Sequence, residues 1–86
     1  MKARVFVTLK PSVFDPQGST IAEALHTLGY QQVGDVRQGK YFELELAVDD
    51  AAEADKLARD VAGRVLANPV IESFRIELAD AGRGRA

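Results

Sequence analysis

Few side chains in this chain could do chemistry, and their spacing decides what that chemistry would be. His26 is the only histidine, and alone it makes neither a multi-histidine metal site nor a Ser-His-Asp set. A solvated place on a helix is its expected role. Asp49, Asp50, Glu53 and Asp55 form an acidic run, but carboxylates in a first helical turn are favoured by the helix dipole. The run has none of the turn chemistry of a calcium loop. Glu43 and Glu45 share one face of a strand, about 7 Å apart. Such a pair could work as general acid and base, yet nothing around it suggests a cleft. Gly39-Lys40 has the ending of a phosphate loop without its earlier glycine or its following Ser/Thr. Residues 10–18 contain no arginine, so an arginine-bearing phosphate loop after the first strand is also missing. Gln38-Gly39-Lys40-Tyr41-Phe42 could form a base-stacking strand with Phe6 and Tyr41 exposed. Glu43 and Glu45 on the same face would repel phosphates. With no cysteine in the chain, thiolate catalysis, disulfides and thiolate metal sites are excluded.

The elements that carry these residues are readable from periodicity. Ala3, Val5, Val7 and Leu9 alternate with polar neighbours as in a half-buried strand, which Pro11 ends. Asp15-Pro16 marks a helix start, with Asp15 as cap and proline at the first helical position. Ile21, Leu25 and Leu28, with Ala22 and Ala24, form that helix's buried stripe, and Gly29 ends it. Val33 to Val48 is expected as two strands joined by a tight hairpin at Arg37-Gln38-Gly39-Lys40. Phe42, Leu44, Leu46 and Val48 point inward there. Asp49 or Asp50 caps a second helix with Ala54, Leu57, Ala58, Val61, Val65 and Leu66 on one face. Asn68-Pro69 stops it. Val70 to Leu78 is the last strand, with Phe74, Ile76 and Leu78 inward.

The order β-α-β-β-α-β predicts an α+β, ferredoxin-like two-layer sandwich, an antiparallel sheet with two helices on one face. Residues 1–79 form its single domain, and 80–86 an aperiodic tail expected to fray. Its 86 residues, 47% hydrophobic and 28% charged, suit one soluble domain with little stability to spare. No membrane span or signal core is legible, so a cytoplasmic protein is expected. The formal net charge is −2, with no basic stripe for nucleic acid. The uncovered sheet face should carry Arg4, Phe6, Thr8, Tyr41, Glu43, Glu45, Ala47, Ile71, Ser73 and Arg75, a mixture that suits a protein partner. The residues by themselves thus reach an interaction module without a catalytic constellation.

Three segments narrow this further. Val7-Thr8-Leu9-Lys10-Pro11-Ser12-Val13-Phe14-Asp15-Pro16-Gln17-Gly18 is the first. Leu28-Gly29-Tyr30 with Val33 and Val36-Arg37-Gln38-Gly39-Lys40 is the second, and Leu66-Ala67-Asn68-Pro69-Val70-Ile71-Glu72 the third. In order and spacing, over about residues 2–78, they resemble the PurS family, the small subunit of bacterial phosphoribosylformylglycinamidine synthase. Phe14 departs from the family's usual aliphatic residue, and the arginine-bearing tail has no counterpart. The resemblance implies a non-catalytic subunit of the complex that converts formylglycinamide ribonucleotide to formylglycinamidine ribonucleotide with ATP and glutamine. It implies no catalytic residue, metal or cofactor in this chain. ATP and Mg belong to a large synthetase subunit, and the glutamine-cleaving cysteine to a glutaminase subunit. The small subunit is implied to be a homodimer that bridges them.

The matched motifs set the interface expectations. Asp15, Gln17 and Gly18 shape the loop into the first helix, and Asn68 and Pro69 fix the turn before the last strand. Arg37, Gly39 and Lys40 present a basic hairpin tip to an acidic partner surface, so removing both cations should leave the isolated protein as stable as before. Asp15, Gly18, Gly39, Asn68 and Pro69 also have adequate structural roles as cap, turns and helix stop. A homodimer or dimer of dimers is expected through the sheet face at Phe6, Tyr41 and Ile71. Two other classes stand beside this reading: a ferredoxin-like sensor of a small metabolite, and an RNA-binding module.

Overall fold

The computed structural model describes residues 1–79; the expectation for the tail 80–86 lies outside them. Strand β1 spans Lys2–Leu9, helix α1 Pro16–Thr27, strand β2 Gly39–Glu45, helix α2 Ala51–Val61 and strand β3 Glu72–Ala79. β1 is central, antiparallel to both neighbours, in the order β2-β1-β3. The register sets Phe6 opposite Tyr41 and Arg75, and Val5 opposite Phe42 and Ile76. Ala3, Val5 and Val7 are completely or almost completely buried under α2, as their alternation required. Phe42, Leu44, Phe74 and Ile76 pack around Val5 and Val7 from the flanking strands.

The α+β, ferredoxin-like arrangement therefore stands, with three strands among the described residues rather than four. The expected hairpin is absent. Residues 33–38 run as irregular backbone, because their polar backbone groups and side chains bond to α1 and the Pro11–Asp15 loop instead of to a neighbouring strand. His26, expected in solvent, is half-buried, and its Nε2 donates to the Val33 carbonyl at 2.6 Å. Arg37 lies at no hairpin tip.

α2 lies against β1 and β3, whereas α1 forms no comparable layer on the sheet. Helix α1 and the segment returning to β2 make an arm that projects from the sheet. The chain measures 48 × 32 × 14 Å with a radius of gyration of 16.2 Å. A compact chain of this length would have about 12 Å.

Helix α2 begins as the sequence indicated, with Asp50 accepting from Glu53 N at 2.9 Å. Its contact ridge is Ala54, Ala58 and Ala62, each fully buried, and these small side chains let the helix lie close to the sheet. The end differs from a regular helix. Ala62–Leu66 is a π turn, closed by Ala67 N donating to the Ala62 carbonyl at 2.9 Å. The additional residue per turn rotates the following positions. Val65, expected in the buried stripe, is 76% exposed, and Ala67 takes its place in the core.

Candidate subunit interface

Each of the three motif segments contributes to the same edge of the molecule, although Leu28-Gly29-Tyr30 of the second lies at the other end of α1. The C-terminus of β1 and the N-termini of β2 and β3 adjoin there, which brings together residues 10–18, 36–40 and 66–72. Asp15 is the hub. It is 5% exposed, its Oδ1 accepts from Gly18 N at 2.9 Å, and its Oδ2 accepts from Gln38 N at 2.8 Å. One carboxylate thus caps α1 and fastens the returning segment to it. The backbone N–H of Gln38, then that of Gly18, and more weakly the Arg37 guanidinium, hold this carboxyl below the ordinary aspartate range against the opposing effect of burial. Gln17 joins the same contact, accepting from Gln38 Nε2 at 2.8 Å.

Arg37 and Lys40 are not the free cations of a hairpin tip. Arg37 Nη2 donates to the carbonyls of Lys10 at 2.9 Å and Val13 at 3.0 Å, tying the returning segment to the Pro11–Asp15 loop. Lys40 Nζ lies 3.5 Å from the Glu72 carboxylate and 3.3 Å from the carbonyl of Leu66, the last residue of the π turn. Both cations have structural work, so removing both should loosen the loop end. Melting the isolated double variant Arg37→Ala, Lys40→Ala decides between this and the expectation of unchanged stability. Asn68 organises the third segment: its Oδ1 accepts from Val70 N at 3.0 Å, and its N donates to Glu72 Oε1 at 2.7 Å. Pro69 stands inside that turn. Glu72 was read only as the last residue of the third segment and given no role, although an acid four residues after Asn68 was the available signal.

Among the described glycines, Gly18 and Gly39 lie against backbone of another segment. A side chain at Gly18 would fall on the Val36 carbonyl oxygen, and its Cβ would lie 2.9 Å from the carbonyl carbon. One at Gly39 would meet the Val7 carbonyl oxygen and, at 2.8 Å, Thr8 Cγ2. Only glycine permits this interlocking of segments.

A cleft of about 270 Å³ opens here, lined by Thr8, Asp15, Gln17, Gln38, Lys40 and Glu72 among others. The side chains of Asp15, Gln17, Gln38, Lys40 and Glu72 already bond within the protein, which disfavours a metabolite site. Beside the cleft, Phe14 is 72% and Val70 77% exposed, with Ile71 also exposed. The open sheet face is different in kind. Phe6 and Tyr41 contact each other with ring centroids 5.1 Å apart, and the Arg75 guanidinium covers Phe6 at 4.2 Å. Arg75 also bonds Glu77. Lys2 lies between Glu43 and Glu45 at 3.9 and 3.8 Å, and its single charge offsets part of theirs. Tyr41 Oη donates to Glu43 at 2.8 Å, and that bond raises its pKa. Ile71, expected on this face, sits instead in the turn before β3. Among the described residues no three histidine or acidic side chains converge to hold a metal, and no helix is long and apolar enough to cross a membrane.

Asp15→Asn tests the hub directly. An amide oxygen can accept one of the two N–H groups, but its NH₂ must then face the other donor. The melting temperature at neutral pH should fall by roughly 5 °C or more. Because the folded pKa is lowered, the carboxylate's contribution is complete above the unfolded value of about 4 and is lost as pH falls through the folded value. The gap between wild type and variant should therefore stay constant from about pH 7 to 5 and close below about pH 4. Melting curves across that range check it, and a constant gap at low pH would contradict the charge's role.

The fold and the loop end define a small α+β protein of ferredoxin-like type whose distinctive residues are spent on holding a surface in shape. A family model described as PurS, phosphoribosylformylglycinamidine (FGAM) synthase, matches residues 2–80. The synthase subunit PurS of Bacillus subtilis is 46% identical over 79 residues, covering 92% of this chain and 93% of that protein. A crystal form of B. subtilis PurS superimposes with a TM-score of 0.80, covering 92% of this chain and 98% of that one. A chain in the structure of PurLQS from Thermotoga maritima is 28% identical with a TM-score of 0.80, covering 88% and 93%. The chain belongs to the PurS family, subunits of FGAM synthase in purine biosynthesis.

Proposed function

We propose that this chain is a non-catalytic bridging subunit of the synthase, and that the loop end is where it meets the synthetase and glutaminase subunits. The observation that carries this reading is the convergence of residues 10–18, 36–40 and 66–72 of the family-like segments into one interlocked end, flanked by exposed Phe14, Val70 and Ile71. Exposed apolar residues beside a rigid polar frame are what a docking surface requires. In this reading ATP and Mg are held by the synthetase and ammonia is released from glutamine by the glutaminase. The chain works in the cytoplasm as a homodimer or dimer of dimers. The likeness to a chain of PurLQS supports the assembly.

The test is reconstitution of the three purified subunits, with glutamine-dependent formation of formylglycinamidine ribonucleotide titrated against the small one. Phe14→Asp with Val70→Asp should leave the isolated fold intact, since both side chains stand in solvent. A charge in a closed apolar contact should move the titration midpoint at least about tenfold, which excess subunit would overcome. The ammonia-dependent reaction should suffer less, because it does not need the glutaminase docked. An unchanged midpoint with a folded double variant would remove the loop end from the interface.

A further inference from the structure

Val65 is an apolar side chain that the core does not use. It lies in the π turn Ala62–Leu66 and is 76% exposed. In an unbroken α-helix it would stand three residues after buried Ala62 and four after half-buried Val61, on the stripe that α2 turns to the sheet. Here Ala67 N donates to the Ala62 carbonyl, five residues back, whereas an α-helix reaches four back. One of residues 63–65 is therefore surplus to the helix, and Val65 is the one whose apolar side chain stands in water. Without Val65, Leu66 and Ala67 would follow Ala62 at the third and fourth positions, a spacing that keeps both against the core where they already pack. The Ala67–Ala62 bond would then be an ordinary helical one. No steric need for glycine accounts for the bulge either, since a Cβ at Gly63 would meet no atom within 4 Å. A glycine at that point does weaken the α-helix where it gives way.

We propose that the π turn serves to present Val65, which enters, together with Val70, an apolar pocket on the partner subunit that the loop end meets. This rests on the loop-end interface proposed above and adds to it the residue and the backbone device that complete its apolar part. Val65 is continuous with that surface. It directly precedes Leu66, whose carbonyl Lys40 Nζ joins to the Glu72 carboxylate, and Val70, 77% exposed, stands in the turn between them. The charges nearest Val65 are already paired: Arg64 lies 3.2 Å from Asp60, and Lys40 3.5 Å from Glu72. What this segment offers a partner is thus apolar surface in a rim of neutralised charge, which fits an apolar pocket rather than a charged one. Valine is stiff at χ1, so two valines lose little side-chain freedom when a pocket closes on them. Single π turns inside helices recur at functional sites for this kind of local re-aiming.

The full chain is prepared in three forms: with Val65 deleted, as Val65→Asp, and as Arg64→Ala. Each is melted alone and then titrated in the three-subunit reconstitution. The deletion should close an ordinary α turn, so its melting temperature should equal or exceed that of the wild type. The deletion and Val65→Asp should each raise the titration midpoint at least about tenfold. Arg64→Ala, one residue away in the same turn, should leave it unchanged. An unchanged midpoint with folded Val65→Asp would overturn the proposal, and the loop-end interface would still stand if Phe14→Asp with Val70→Asp moved the midpoint. Unchanged midpoints for both sets of variants would remove the loop end itself. A deletion variant that melts well below wild type would overturn the presenting role, because the bulge would then belong to the fold. An Arg64→Ala midpoint shifted as far as that of Val65→Asp would overturn it as well, since the effect would not be particular to the valine.

Discussion

Alanine at position 18 should destabilise the protein by about 2–3 kcal/mol, although the same exchange in an open helix would stabilise it by up to about 1 kcal/mol. Gly18 lies in the first turn of α1, and its missing side chain is the space the Val36 carbonyl occupies. Neither side can yield cheaply. Gly18 N is held by Asp15 Oδ1 at 2.9 Å, and the next peptide on the other side by Gln38 N donating to Asp15 Oδ2 at 2.8 Å. An added methyl group must therefore break the fastening of the arm or shift the start of the helix. The measurement is the urea midpoint at constant slope. A midpoint that rises would mean that residues 36–38 move aside freely and that the arm is not braced. The sign of the change, more than its size, decides the matter.

Ala58→Leu should have a similar or larger effect, about 2–4 kcal/mol. Ala58 is fully buried between Ala54 and Ala62, on the face that α2 presses onto β1 and β3. Three further heavy atoms cannot fit between a helix and a sheet spaced for alanine, so α2 must lift. The π turn and the Leu66–Glu72 segment move with it, because Lys40 joins the Leu66 carbonyl and the Glu72 carboxylate. The variant should thus lose both stability and its ability to complete the synthase. Calorimetry alongside the subunit titration checks both. Full activity with a Tm lowered by only a degree or two would show that this layer is looser than its burial indicates.

The core was determined by alternation and by cap chemistry. Ala3, Val5, Val7, Phe42, Leu44, Phe74 and Ile76 sit where a period of two put them, since a one-residue slip would turn every apolar side chain of a strand into water. Asp15-Pro16 and Asp50 start the helices as their local hydrogen bonding dictates. Such features depend on neighbours a few residues apart, and the sequence contains those neighbours. The family resemblance was legible for the same reason, as short motifs in fixed order. What the motifs do to one another was not. Residues 33–38 read as a strand because Val33 and Val36 are β-formers, yet long-range partners claimed them: Asp15 took the Gln38 N–H and His26 the Val33 carbonyl. Arg37 and Lys40 looked like spare cations because their acceptors are 24 to 32 positions away in the chain. Val65 changed sides through one additional residue in a turn. Whether α1 would cover the sheet or leave it depended on the bracing at Asp15 and Gly18. Backbone atoms from two distant segments meet there at distances that only the folded chain sets.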